Sequence, residues 1–105
     1  MADAEKSTVK ELEVHGYKFT VDTDLMDDVD TLEIIERIEN KGQVAAVLPL
    51  LKLILGNEQF AKMKEFYTKQ DGEENKDKEG YKPRMRVEVL SDIYMAIIEN
   101  FDPKS

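Results

Sequence analysis

The 105-residue sequence predicts a mainly α domain of about four helices with an N-terminal β-hairpin. Three observations predict it. Residues 43–55 read QVAAVLPLLKLIL, with only Gln43 and Lys52 polar. Three other stretches place apolar residues at helical spacing, three or four apart. Two short runs near the N-terminus alternate instead, on either side of His15-Gly16.

The central stretch is apolar nearly all round, so it is expected to be buried on most sides. It is too short to span a bilayer, which takes about 20 apolar residues. Pro49 lacks a backbone donor and crowds the preceding turn, so residues 43–55 form either a kinked buried helix or a short helix that starts at the proline. A buried strand would not tolerate that proline. Gly42 and Gly56 punctuate the two ends.

In chain order, residues 1–8 are small and charged and are expected to fray. Leu12 and Val14, then Tyr17, Phe19 and Val21, alternate with polar neighbours over residues 9–22, and the two-residue interruption ending in glycine predicts the hairpin. Five aspartates at 22, 24, 27, 28 and 30 suit helix N-termini. Leu32, Ile35 and Ile38, with Ile34, then form a helical stripe over 27–41, closed by Lys41-Gly42. After the central helix, Phe60, Met63, Phe66 and Tyr67 share one face of a helix over 57–70, stopped by Gln70-Asp71-Gly72. Residues 73–82 have almost no apolar content and predict a loop. Pro83 suits a helix start. Val87, Leu90, Tyr94, Ile97, Ile98 and Phe101, widened by Ile93 and Met95, mark a last helix over 83–101, ended by Asp102-Pro103 in a short tail, 102–105. Residues 9–101 thus read as one domain, without an internal repeat.

Composition narrows function. The net charge of -8 opposes nonspecific nucleic-acid binding and adhesion to anionic membranes. No cysteine is present, so disulfides, thiolate metal sites and cysteine nucleophiles are excluded. The first residues, MADAEK, are polar and carry no apolar run of export-signal type.

Motifs narrow it further. A calcium loop starting at Asp22 would place Glu33 at its twelfth position, but Met26 and Asp27 occupy the fifth and sixth, where a ligand and a glycine are required. The aspartates read better as caps, and no metal ligand set is expected. His15, the only histidine, falls in the predicted turn without a partner that would make it a general base. No phosphate-cradling glycine loop exists. Lys82, Arg84 and Arg86 read as local partners of the acidic loop. No catalytic or cofactor-binding residue is expected, and nothing specifies an enzyme. The apolar supply is the informative feature: surface that one small core fails to close marks a partner site.

The order of these pieces resembles the tail assembly chaperones of long-tailed (siphovirus-type) phages and prophages of Gram-positive bacteria. The carrying segments are GYKFTVD at 16–22, LMDDVDTLEIIE at 25–36, LLKLILGNEQF at 50–60, with its Leu-Gly-x-Glu-Gln mark, Asp71-Gly72, and the VxVLSDI run at 87–93. The loop at 73–86 is longer than is usual in that family. The resemblance implies a mostly helical, non-catalytic protein without cofactors. It would bind the tape-measure protein and keep it soluble while tail-tube protein subunits polymerise around it. It would act in the cytoplasm of the bacterial host and be absent from the mature virion. An acidic body with spare apolar surface agrees with that role. The groove between the central helix and the next is the expected client site, lined by Leu51, Ile54, Leu55, Phe60, Met63 and Tyr67. Homo-oligomerisation is left open. The alternative is an acidic oligomeric interaction or regulatory protein of phage origin, of the nucleic-acid-mimic type. The family often makes a longer product by ribosomal frameshifting, and Asp102-Pro103-Lys104 permits the codons GAC-CCA-AAA, which contain a slippery heptamer. Sequencing the gene checks this: those codons are expected, and an unslippery choice there removes the frameshift.

Overall fold

A computed structural model describes residues 9–100, so the expectations for 1–8 and 101–105, Phe101 and the frameshift tripeptide included, lie outside the described residues. Strands β1 (Val9–Val14) and β2 (Tyr17–Asp22) pair antiparallel, with Leu12 opposite Phe19 and Val14 opposite Tyr17. That register leaves His15 and Gly16 as a two-residue turn, both at positive φ (50° and 87°). This is the mirror-image turn whose twist matches that of the flanking strands. Period-two patterning puts Leu12, Val14, Phe19 and Val21 on the buried face, while Glu11, Glu13, Lys18 and Thr20 face outward.

The aspartate-rich segment does not run straight into a helix. A short 3-10 turn, Thr23–Met26, comes first, capped by the Asp22 side chain, which accepts from the Asp24 amide at 3.0 Å. Helix α1 (Val29–Lys41) follows, capped by Asp28, which accepts from the Asp30 amide at 3.1 Å. Two of the five aspartates are therefore caps. Thr31 is fully buried and donates its hydroxyl to the Leu25 carbonyl at 3.0 Å, tying the 3-10 turn to α1. The helix closes at Gly42, with the Gln43 amide donating to the Arg37 carbonyl.

A second 3-10 turn, Val44–Ala46, leads into α2 (Val47–Leu55). Pro49 is the third residue of α2. The first four amides of a helix have no intrahelical acceptor, so the proline removes no bond and no kink is needed. Gly56 alone separates α2 from α3 (Asn57–Glu74), and α4 (Val87–Asn100) completes the chain. Among the described residues the fold is thus four α-helices and a hairpin, mainly α as expected.

Four boundaries differ from expectation. Helix α1 begins at Val29, not 27, and α2 at Val47, not 43, because a 3-10 turn precedes each. Helix α3 continues through Gly72 to Glu74, and α4 begins at Val87, not near Pro83. The last two differences come from contacts between distant residues. A Cβ at position 72 would lie 3.1 Å from the Pro83 ring, so the glycine admits the returning chain and does not end the helix. Residues 81–86 stay irregular because the Arg84 amide is taken up by a side chain of α3.

Helix α2 packs against α1, α3, α4 and β2, while β1 lies on α4. Its buried residues are Val47, Leu50, Leu51, Ile54 and Leu55, with Leu50 and Leu51 at 0% exposure. Expected burial on most sides is corrected here: Leu48 and Leu53 flank the buried arc and are 39% and 41% exposed. No helix among the described residues is long and apolar enough to cross a membrane.

Truncating Leu50 should show how far the fold depends on α2. Leu50→Ala is expected to cost about 3 kcal/mol through lost burial and a residual cavity. That is a large share of the roughly 5–15 kcal/mol available to a domain. Urea unfolding followed by circular dichroism reads the loss directly.

Candidate partner-binding surface

The six residues expected to line a client groove are all enclosed. Leu51 and Met63 are at 0% exposure, Tyr67 at 2%, and Ile54, Leu55 and Phe60 also lie in the core. The groove between α2 and α3 is filled by its own side chains and by the hairpin. Tyr17 reaches over α3, its ring 4.9 Å from that of Phe66 and 5.6 Å from that of Tyr67. The Tyr67 hydroxyl donates to the Val14 carbonyl at 2.7 Å, and burial pushes its phenol well above the usual range, with Tyr17 adding to the effect. Little of the six is open to a partner in this conformation; Leu55, 8% exposed, borders an open cleft at the junction of α2 and α3.

The apolar surface left outside lies elsewhere. Val29 and Leu32 on α1 are 68% and 55% exposed, and Val44, Leu48 and Leu53 continue the exposed set through the 3-10 turn and α2. Ile34, Ile35 and Ile38 are half-buried and pack at the edge of the core. Helix α1 therefore closes only partly onto α2. On α4, Val87 and Met95, expected inside, are also exposed, while Ile93 is fully buried. A lone exposed apolar residue is ordinary; Val29 and Leu32, three apart on α1, are the most exposed neighbouring pair among them.

Charge is concentrated in the same part of the chain. Of the 23 acidic residues, eight lie between positions 22 and 39, against one of the 15 basic ones. That segment carries seven of the eight net negative charges. Near the opposite end of α1, the Tyr94 hydroxyl of α4 donates to Glu39 at 2.5 Å. Burial raises the Tyr94 phenol above its usual range, and the Glu39 carboxylate adds to that.

Sequence reasoning missed a second polar centre. Asp71 is buried in α3 and accepts from the Tyr81 hydroxyl at 2.6 Å and from the Arg84 amide at 3.0 Å. The Asn75 side chain donates to the same carboxylate at 3.2 Å. Arg86 donates to the Tyr81 hydroxyl at 3.0 Å, and the Arg84 guanidinium lies 5.1 Å from the Tyr81 ring centre. The Tyr81 hydroxyl, the Arg84 amide and the two arginine charges hold the Asp71 carboxyl below the usual carboxylate range, against the opposing effect of burial. The same hydroxyl, with Asp71 and Glu88, pushes Arg86 further up. Arg84 and Arg86 thus serve a residue within the helix, where the sequence suggested the acidic loop.

A cleft of about 320 Å³ beside this centre is lined by His15, Gln70, Asp71, Glu74, Arg86 and Glu88, among others. His15 pairs with Asp92 of α4 at 2.8 Å, and its carbonyl accepts from Gln70 at 3.0 Å, so the hairpin tip is fastened to two helices. Among the described residues that line the cleft there is no serine, threonine or cysteine. Among the described residues no buried side-chain nitrogen or oxygen lacks a partner. The polar groups here hold the fold together. Comparison with protein families, with curated proteins and with solved structures found no match.

The Asp71 centre sets a pH dependence with a definite sign. Its folded pKa lies below the unfolded value, so its contribution is complete above about pH 4 and is lost as pH falls through the depressed value. Asp71→Asn is expected to melt below the wild type at pH 7, with the gap narrowing towards about pH 2.5. Thermal unfolding at the two pH values checks this, and a constant gap would count against it.

Proposed function

We propose that this chain is a non-catalytic binding protein of the tail-assembly-chaperone type: it captures an amphipathic helical client, the tape-measure protein, and keeps it dispersed. The observation that carries the reading is the set of apolar side chains that α1, the second 3-10 turn and α2 leave exposed: Val29, Leu32, Val44, Leu48 and Leu53, between 39% and 68% exposed. A client helix laid there would bury the area that the fold leaves in water. The acidic segment 22–39 supplies charge repulsion that keeps loaded complexes apart. The order of sequence segments described above supports the same class. On this reading the protein works in the bacterial cytoplasm, outside the finished virion.

The concentration of negative charge also favours a second reading, an acidic regulatory protein that mimics nucleic acid and binds a basic host protein. Salt separates the two. Apolar capture persists at high ionic strength, whereas recognition by charge alone is screened.

Co-expression with a tape-measure protein tests the first reading. The client is expected in the soluble fraction, bound to this chain and retained at about 0.5 M salt, where the screening length falls to a few ångströms. Leu48→Ser with Leu53→Ser should release client to the pellet, with circular dichroism confirming that the variant, which loses some burial on α2, is still folded. A client that stays insoluble beside the wild-type chain removes the proposal.

A further inference from the structure

On α1, four apolar residues succeed one another at steps of three: Val29, Leu32, Ile35 and Ile38. A step of three falls short of a full turn by about 60°. The row therefore winds around the helix, from Val29 and Leu32 in solvent to Ile35 and Ile38 at the edge of the core. It forms one continuous apolar ridge about 14 Å long, or roughly two and a half turns. Four residues after its first three members stand Glu33, Glu36 and Glu39, one turn further along the same faces. A row of carboxylates thus runs alongside the apolar ridge. Glu39 is engaged by Tyr94. Glu33 and Glu36 are exposed, and among the described residues no basic side chain pairs with either.

Taking the binding role above as its premise, we infer that the occupant of this ridge is a basic amphipathic helix of another chain: an apolar stripe of two to three turns, bordered by lysine or arginine that meets the Glu33/Glu36/Glu39 row. Charge complementarity selects this occupant over a second copy of the same protein. A symmetric dimer through α1 sets each patch against itself, so the two glutamate rows would lie together across the interface. Like charges brought together in this way disfavour the pairing. A basic helix meets the same row with opposite charge while its apolar stripe covers Val29 and Leu32. Exposed ion pairs add little affinity each, so the row acts mainly by selecting among apolar helices.

Two model peptides of about 18 residues test this. They share one leucine stripe, bordered by lysines in the first and by glutamates in the second. Fluorescence anisotropy with the full chain at low salt is expected to show the lysine-bordered peptide bound about tenfold more tightly, from a few ion pairs acting together. The preference should shrink at about 0.5 M salt. Glu33→Lys with Glu36→Lys should reverse the order, and Val29→Ser with Leu32→Ser should weaken both peptides alike. All four positions are exposed, and circular dichroism confirms that each variant is folded. Equal affinity for the two peptides, no binding of either, or a charge-reversed variant that keeps the wild-type order would overturn the inference. If client capture on co-expression survives such a result, the ridge assignment fails and the binding role stands. If peptide selectivity holds while the tape-measure protein is not captured, the ridge stands and the role fails.

Discussion

Burial of α2 is the constraint on which the remaining elements depend. The helix has nine residues, well short of the length at which an isolated helix is stable in water. Its order comes from its neighbours: α1, α3, α4 and β2 each cover part of it, and Leu50 and Leu51 are left with no exposed surface. The converse also holds. The hairpin is too small to stand alone, and it has a fixed place because Phe19 and Val21 meet this apolar centre. One short greasy helix therefore orders four other segments while being ordered by them.

Periodicity made much of this legible. Period two gave the hairpin, its two-residue turn and its buried face, because those properties are local to a strand pair. Cap chemistry placed the C-terminal end of α1 and its start to within two residues for the same reason: an aspartate side chain reaches an amide two residues away, and Gly42 lies immediately after the last turn. The misreadings share a different cause. Asp71-Gly72 has the composition of a helix stop, yet Asp71 is held by residues 10 and 13 positions later and Gly72 is packed by Pro83. Nothing near position 71 announces those partners. The same limit applied to the six expected contact residues. An apolar stripe identifies what avoids water, but whether its own chain or a foreign one covers it depends on how many elements converge there. For Tyr67 the hairpin converged; for Val29 and Leu32 nothing within the described residues did.

Exposed apolar side chains and concentrated negative charge occur together in the same segment, and the physics of each bears on the other. Uncovered Val29 and Leu32 would promote association between copies, and the carboxylates beside them oppose it. Positively charged partners feel no such barrier. On the binding role proposed above, proximity of the two features would turn a general tendency to aggregate into a discriminating surface. The Asp71 centre lies in a different part of the chain and acts on the fold alone. It fastens the returning chain to α3, so that α4 reaches the core from a defined point.

The pairing of β1 with α4 joins the first described element to the last. As the chain emerges from the ribosome, the hairpin residues come first, but α4, on which β1 lies, is synthesised after every other described element. Until α4 arrives, Leu12 and Val14 remain open to solvent or to whatever chaperone attends the nascent polypeptide. A chain interrupted before residue 87 would keep a complete hairpin and a complete α2 yet lack the helix that seals them, so premature termination leaves a sticky fragment that cannot mature.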